Sequence, residues 1–109
     1  MIDNQFNGRW EIVEMEAWAK KFIDLVEPGY IEFGNAKRGS LHFICIYADI
    51  NYQINKDNKV VFLFQGDDEG NLISGKGFAK IKNGHLHGRL FIHNGDESNF
   101  TAKLIGTMP

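Results

Sequence analysis

Apolar side chains recur at every second position through most of the chain, which is the period of a strand with one face in a core and the other in water. Gly8 to Met15 reads as a first strand, with Trp10 and Ile12 on one face and Glu11 and Val13 on the other. The period then changes. Between Glu16 and Val26, Trp18, Phe22, Leu25 and Val26 fall at helical spacing with Lys20, Lys21 and Asp24 opposite, so a short amphipathic helix is expected. It must stop by Glu27, because Pro28 disfavours helical geometry in the residue before it and Gly29 supplies a turn. A helix of this length is unstable alone, so its stripe should cover a barrel opening or a sheet face, with Phe22 in the core.

After the break, Tyr30 to Phe33 is a strand and residues 34–39 a turn. Residues 41–54 are too long and too apolar on both parities for one flat strand, and a bend or break is expected near residues 47–49. Strands at residues 60–65 and 73–82 flank turns at residues 55–58 and 66–72, and residues 85–93 and 99–105 complete the set. Asn83-Gly84 is the most informative local signal, because a two-residue Asn-Gly loop favours a type I′ turn and so fixes the hairpin register. That register pairs Lys82 with His85, Lys80 with His87, Phe78 with Arg89, Lys76 with Phe91 and Ser74 with His93 on one face. Ile81, Ala79, Gly77 and Gly75 pair with Leu86, Gly88, Leu90 and Ile92 on the other, the expected core face, where glycines let a strand curl. Successive hairpins and one helix predict a mainly β fold: a small up-and-down antiparallel barrel or strongly coiled meander over residues 1–109.

Length and composition support this and exclude other classes. The chain has 109 residues, 43% hydrophobic and 24% charged, which suits one globular domain and not a disordered segment. No apolar run approaches the ~18 residues of a membrane-spanning helix. The start, Met1-Ile2-Asp3-Asn4-Gln5, has neither the basic nor the apolar region of a secretory signal, and the lone Cys45 favours a reducing compartment, so a cytoplasmic protein is expected. A formal charge of -2 gives no bulk attraction to nucleic acid or acidic membranes.

Asn7-Gly8-Arg9-Trp10 at the start of the first strand resembles the Gly-x-Trp signature of calycins, the lipocalin-like and avidin-like barrels. The resemblance implies a barrel with the Trp plugging one end. Over more of its length the chain is similar to a family of short bacterial proteins. The segments that carry this are Gly8-Arg9-Trp10-Glu11-Ile12-Val13-Glu14-Met15, Phe22-Ile23-Asp24-Leu25-Val26, Pro28-Gly29-Tyr30-Ile31, Ser74-Gly75-Lys76-Gly77-Phe78-Ala79 and Gly88-Arg89-Leu90-Phe91-Ile92-His93-Asn94-Gly95-Asp96. No activity comes with that similarity.

Several residues are candidates for chemistry. In a meander every second hairpin lies at the same end, which brings Asp67, Asp68 and Glu69 near Asp96 and Glu97 as oxygen ligands for a hard cation; solvated turn carboxylates are the simpler reading. His85 and His87 share a strand face but need a third ligand to hold zinc; His42 is the one histidine left to supply it and nothing places it nearby, so an exposed face is the simpler reading. Cys45, within Phe43-Ile44-Cys45-Ile46, is expected to be buried and inert. Glu14 has the parity of Trp10 and Ile12, so a regular strand would carry a carboxylate into the barrel, where burial could make it a general acid; a bulge would return it to solvent. Lys76, Lys80, Lys82, His85, His87 and Arg89, with Phe78 and Phe91 among them, have the ingredients for single-stranded nucleic acid.

The leading expectation is a non-enzymatic binding module. Trp10, Phe43, Phe62, Phe64, Phe78 and Phe100 have the bulk to fill an eight-stranded barrel, which favours a protein partner over a large ligand, with a small apolar ligand at the open end as the other possibility. Binding residues are sought among Trp10, Glu14, Trp18, Phe22, Phe78 and Arg89. The alternative is an enzyme using Glu14, or His93 with the adjacent acidic turn, as acid or base. No cofactor is implied, a monomer or homodimer is expected, and no nucleic-acid affinity is expected because the acidic turns oppose the field of the lysines.

Overall fold

The alternation closes on itself. A computed structural model describes residues 4–106, so the first three residues of the start read above lie outside the described residues. Eight strands form a closed antiparallel barrel: β1 (Gly8–Met15), β2 (Tyr30–Phe33), β3 (Arg38–Phe43), β4 (Ile46–Ile54), β5 (Val60–Asp68), β6 (Asn71–Lys82), β7 (His85–Ile92) and β8 (Glu97–Gly106). Each strand pairs with its sequence neighbours and β8 returns to β1, which leaves no open sheet edge. The β6–β7 hairpin has the register that Asn83-Gly84 dictates, from Lys82 opposite His85 to Gly75 opposite Ile92. Both turn residues have positive φ, 54° and 79°, as a type I′ turn requires.

Two boundaries differ from expectation. The break in residues 41–54 falls at Ile44-Cys45, between β3 and β4, and residues 47–49 lie within β4. Ile44 has φ 58°, unusual for a β-branched residue, and its N–H donates to the Ile23 carbonyl at 2.8 Å. The turn expected over residues 66–72 shrinks to Glu69-Gly70, both with positive φ, because β5 and β6 stay paired out to Asp68 and Asn71.

The connection between β1 and β2 forms a lid over one barrel end. Its helix, α1 (Lys20–Ile23), is a single turn, far shorter than the expected one. Asp24 ends it: Lys20 binds the carboxylate at 2.7 Å, and the Gly29 N–H donates to it at 2.9 Å, which turns the chain back toward β2. One helical turn cannot hold a stripe spanning the nine residues from Trp18 to Val26 on one face. Ile23 is therefore the buried anchor, Trp18 is half-buried with its ring 5.4 Å from that of Phe43, and Phe22, Leu25 and Val26 point outward. The expectation that Phe22 belongs to the core is corrected.

The opposite end is closed by the segment before β1. Trp10 is buried and its Nε1–H donates to the Phe6 carbonyl at 2.8 Å, while the Phe6 ring stands edge-on to Phe33 at 6.2 Å. Phe33 in turn meets Tyr52 and Phe62 edge-on at 5.0 and 6.0 Å. Phe43, Phe62, Phe64 and Phe100 fill the interior as expected. Phe78 does not, because its position in the hairpin register puts it on the outer wall.

Candidate binding surfaces

Glu14 is exposed. The β1–β8 register passes from Ile12 opposite Ala102 to Glu14 opposite Thr101, so Val13 is the extra residue of a bulge and Met15 takes the inward place opposite Phe100. The carboxylate thus lies outside the barrel: of the two readings of Glu14, the bulge that returns it to solvent is the one found, and the buried acid is not. It borders a shallow outer concavity of about 570 Å³ shared with Glu16, His87, Arg89 and Thr101. His93 is also on the surface, with Nδ1 3.0 Å from Ser74 Oγ; its contact is a hydroxyl, where the enzyme reading wanted a carboxylate.

Arg89 is committed within the fold. Its Nη1 donates to Glu16 Oε1 at 3.2 Å and to Asn99 Oδ1 at 2.6 Å, and its Nη2 to Glu97 Oε1 at 2.9 Å. The hydrogen bond to Glu97 is the main reason the guanidinium is held above its usual pKa; desolvation opposes it, and the hydrogen bond to Glu16 adds to the rise. Glu97 is thereby taken out of the proposed acidic cluster, and Asp67 accepts the Gly70 N–H at 3.0 Å in its own turn. Among the described residues no three His, Cys, Asp or Glu side chains gather as a metal site, so Asp67, Asp68, Asp96 and Glu97 do not form one.

The histidines are likewise dispersed. His85 and His87 are 6.4 Å apart on the outer wall, whereas His42 is buried on β3, stacked on Tyr47 at 4.0 Å. His42 Nδ1 meets the Ile46 carbonyl at 2.8 Å and so must carry its proton. Cys45 is half-buried at the β3–β4 turn, a correction to the buried strand position expected for it. Its thiol pKa is pushed up by desolvation first and then by Glu69 and Asp68, so it stays a thiol.

Among the described residues, two clustered apolar surfaces stand out beside the singly exposed Leu72 and the exposed Leu104 and Ile105 at the end of β8. The first is the lid, where Phe22, Leu25 and Val26 are 50%, 58% and 58% exposed. The acidic turns lie at the same barrel end, so Glu27, Asp67, Asp68, Glu69 and Asp96 give that end an excess of negative charge, against Lys20, which is paired with Asp24, and Lys21, whose Nζ is 5.4 Å from the Phe22 ring centroid. The turns of the other end carry Lys37, Arg38, Lys56, Lys59 and Lys82 against Asp57. The barrel is therefore electrically polar along its axis, which its small net charge conceals.

The second surface is the outer wall of β5, β6 and β7. Val61 pairs with Phe78, and Leu63 with Lys76, which pairs in turn with Phe91. These side chains share an open groove of about 720 Å³, with Asn51 and Gln53 at its far side. Leu63 is 60% exposed and Phe78 36%. The sequence reading missed Val61 and Leu63, although the run Val60-Val61-Phe62-Leu63-Phe64 is apolar on both parities and one parity of a barrel strand must face out. Comparison with known proteins finds no family model, no curated protein and no solved structure that matches the chain.

Proposed function

We propose that the protein is a non-enzymatic interaction module, a lipocalin-like barrel with a filled interior that docks a protein partner on its lid. The observation that carries this reading is the exposure of Phe22, Leu25 and Val26 on a lid whose anchor, Ile23, is fully buried. Three large apolar side chains within five residues are costly to leave in water, and a partner that covers them recovers part of that cost. The carboxylates around the same end select a partner with a basic rim, steer its approach and repel anionic surfaces. The lone cysteine fits a cytoplasmic setting, as a monomer or homodimer.

The reading is tested by capture of partners on the immobilised protein and on its Leu25→Glu variant, with Gln53→Glu on the wall as the control. A partner should be held by the native chain and by Gln53→Glu, released by raised salt and lost with Leu25→Glu. Equal capture by Leu25→Glu overturns the assignment of the lid.

A further inference from the structure

We propose that the outer wall of β5–β7 is a second, independent binding site, for single-stranded nucleic acid, with bases stacked on Phe78 and Phe91 and phosphates held by Lys59, Lys76 and Lys80. The register sets the two aromatic residues on adjacent strands, and their ring centroids are 6.3 Å apart at a tilt of 41°. Neither ring belongs to the core. Cations already sit against both: Lys59 Nζ is 4.9 Å from the Phe78 centroid, and Lys76 Nζ is 5.8 Å from that of Phe91. Stacking platforms beside phosphate-binding cations are what sequence-tolerant single-strand binding needs, and the amides of Asn51 and Gln53 across the groove can meet base edges. A duplex does not fit, because its bases are already stacked on one another and cannot reach the rings.

The objection from net charge fails on distance. Phe78 is six residues along β6 from Leu72, the partner of Asp67, or ~20 Å at strand rise, and Phe91, level with Lys76, is four, or ~13 Å. Both distances exceed the ~8 Å Debye length at physiological salt, so the field of Asp67, Asp68 and Glu69 is weakened at the rings, and at any salt the Lys59 and Lys76 ammonium groups, 4.9 and 5.8 Å from the ring centroids, are the nearer charges. Glu97 is the carboxylate next to Phe91, paired across the strands, and Arg89 holds it at 2.9 Å. Glu14 faces the neighbouring concavity beside His87 and Thr101. The cations nearest the rings therefore set the local potential, and a chain with net charge -2 has a basic wall.

The test is fluorescence anisotropy of labelled oligothymidine and oligoadenosine with the intact protein at low and at physiological salt. We expect dissociation constants on the order of micromolar at low salt, weakening as salt rises because phosphate contacts release counterions. Phe78→Ala and Phe91→Ala should each weaken binding roughly tenfold through lost stacking. Phe78→Leu, which keeps apolar bulk without the ring, should weaken it similarly if the alanine variant folds poorly. Lys76→Glu should weaken it further, and Leu25→Glu on the lid should leave it unchanged, which separates this site from the partner site. The proposal is overturned by an absence of binding at low salt, by Phe78→Leu binding as the native chain does, or by polyglutamate binding as tightly as the oligonucleotides, which would mark the wall as a site for acidic protein.

Discussion

Gly77 and Phe62 face each other across the β5–β6 pair, and the Phe62 ring occupies the space that a Cβ on Gly77 would take. The Arg89 carbonyl crowds the same space from β7, at 2.8 Å. The glycine is thus part of how the barrel holds its aromatic filling. Gly77→Ala should cost ~1–3 kcal/mol by overpacking, read as a lower urea midpoint at unchanged slope. A neutral result would mean that the ring has room to move and the interior is looser than described.

The lid should show an inversion of its apparent hydrophobic stripe. Ile23→Ala should cost ~2–5 kcal/mol, as for a buried aliphatic truncation, and Phe22→Ala about 0.5 kcal/mol or less. Urea unfolding of the two variants decides between the faces. A larger loss for Phe22→Ala would place that ring in the core and remove the partner surface.

How far the sequence revealed this depended on whether the local chemistry was unique. Asn83-Gly84 admits one favoured turn, so the register of twelve-residue β6 against β7 was readable residue by residue. Ile44 turns the chain with a positive φ that its side chain disfavours, so nothing in its identity marked the turn. The bulge at Val13 could be argued only from the cost of burying Glu14, because an apolar residue suits either face and nothing in Val13 itself marks it. Helical spacing did identify the lid, but spacing alone cannot tell a one-turn helix from a longer one, and Asp24 as its end depends on its contacts with Lys20 and Gly29. Net charge hid the axial polarity because it sums over ends that only the topology separates.

The lid is fastened to β4 by Tyr47, whose hydroxyl donates to Glu27 Oε2 at 2.5 Å. That hydrogen bond, with some desolvation and the carboxylate's charge, pushes the phenol up to about 12. Because the folded state raises this pKa, the bond's stabilisation is complete below the ordinary value of about 10 and is lost as pH rises from there toward 12. Glu27→Gln should bring the Tyr47 ionisation down toward 10, followed by phenolate absorbance with Tyr47→Phe as the reference. An unchanged titration would show that the latch does not hold in solution.

At the other end, Trp10→Phe keeps an aromatic plug but removes the donor to the Phe6 carbonyl. A buried acceptor left without its partner should cost ~1–3 kcal/mol, measured by urea unfolding. No loss would mean that water reaches Phe6 and that this end is open.

A filled barrel that binds on its outside, as proposed, retains no small molecule within it. Native mass spectrometry of the freshly purified protein tests this most directly, alongside the Leu25→Glu and Phe78→Leu variants. The expected spectrum holds the mass of the chain, of its dimer, or of complexes with protein or oligonucleotide that the lid or wall variant respectively dissociates. A small organic molecule retained at one per chain, in the native protein and both variants alike, would contradict it, because such a ligand would have to sit inside.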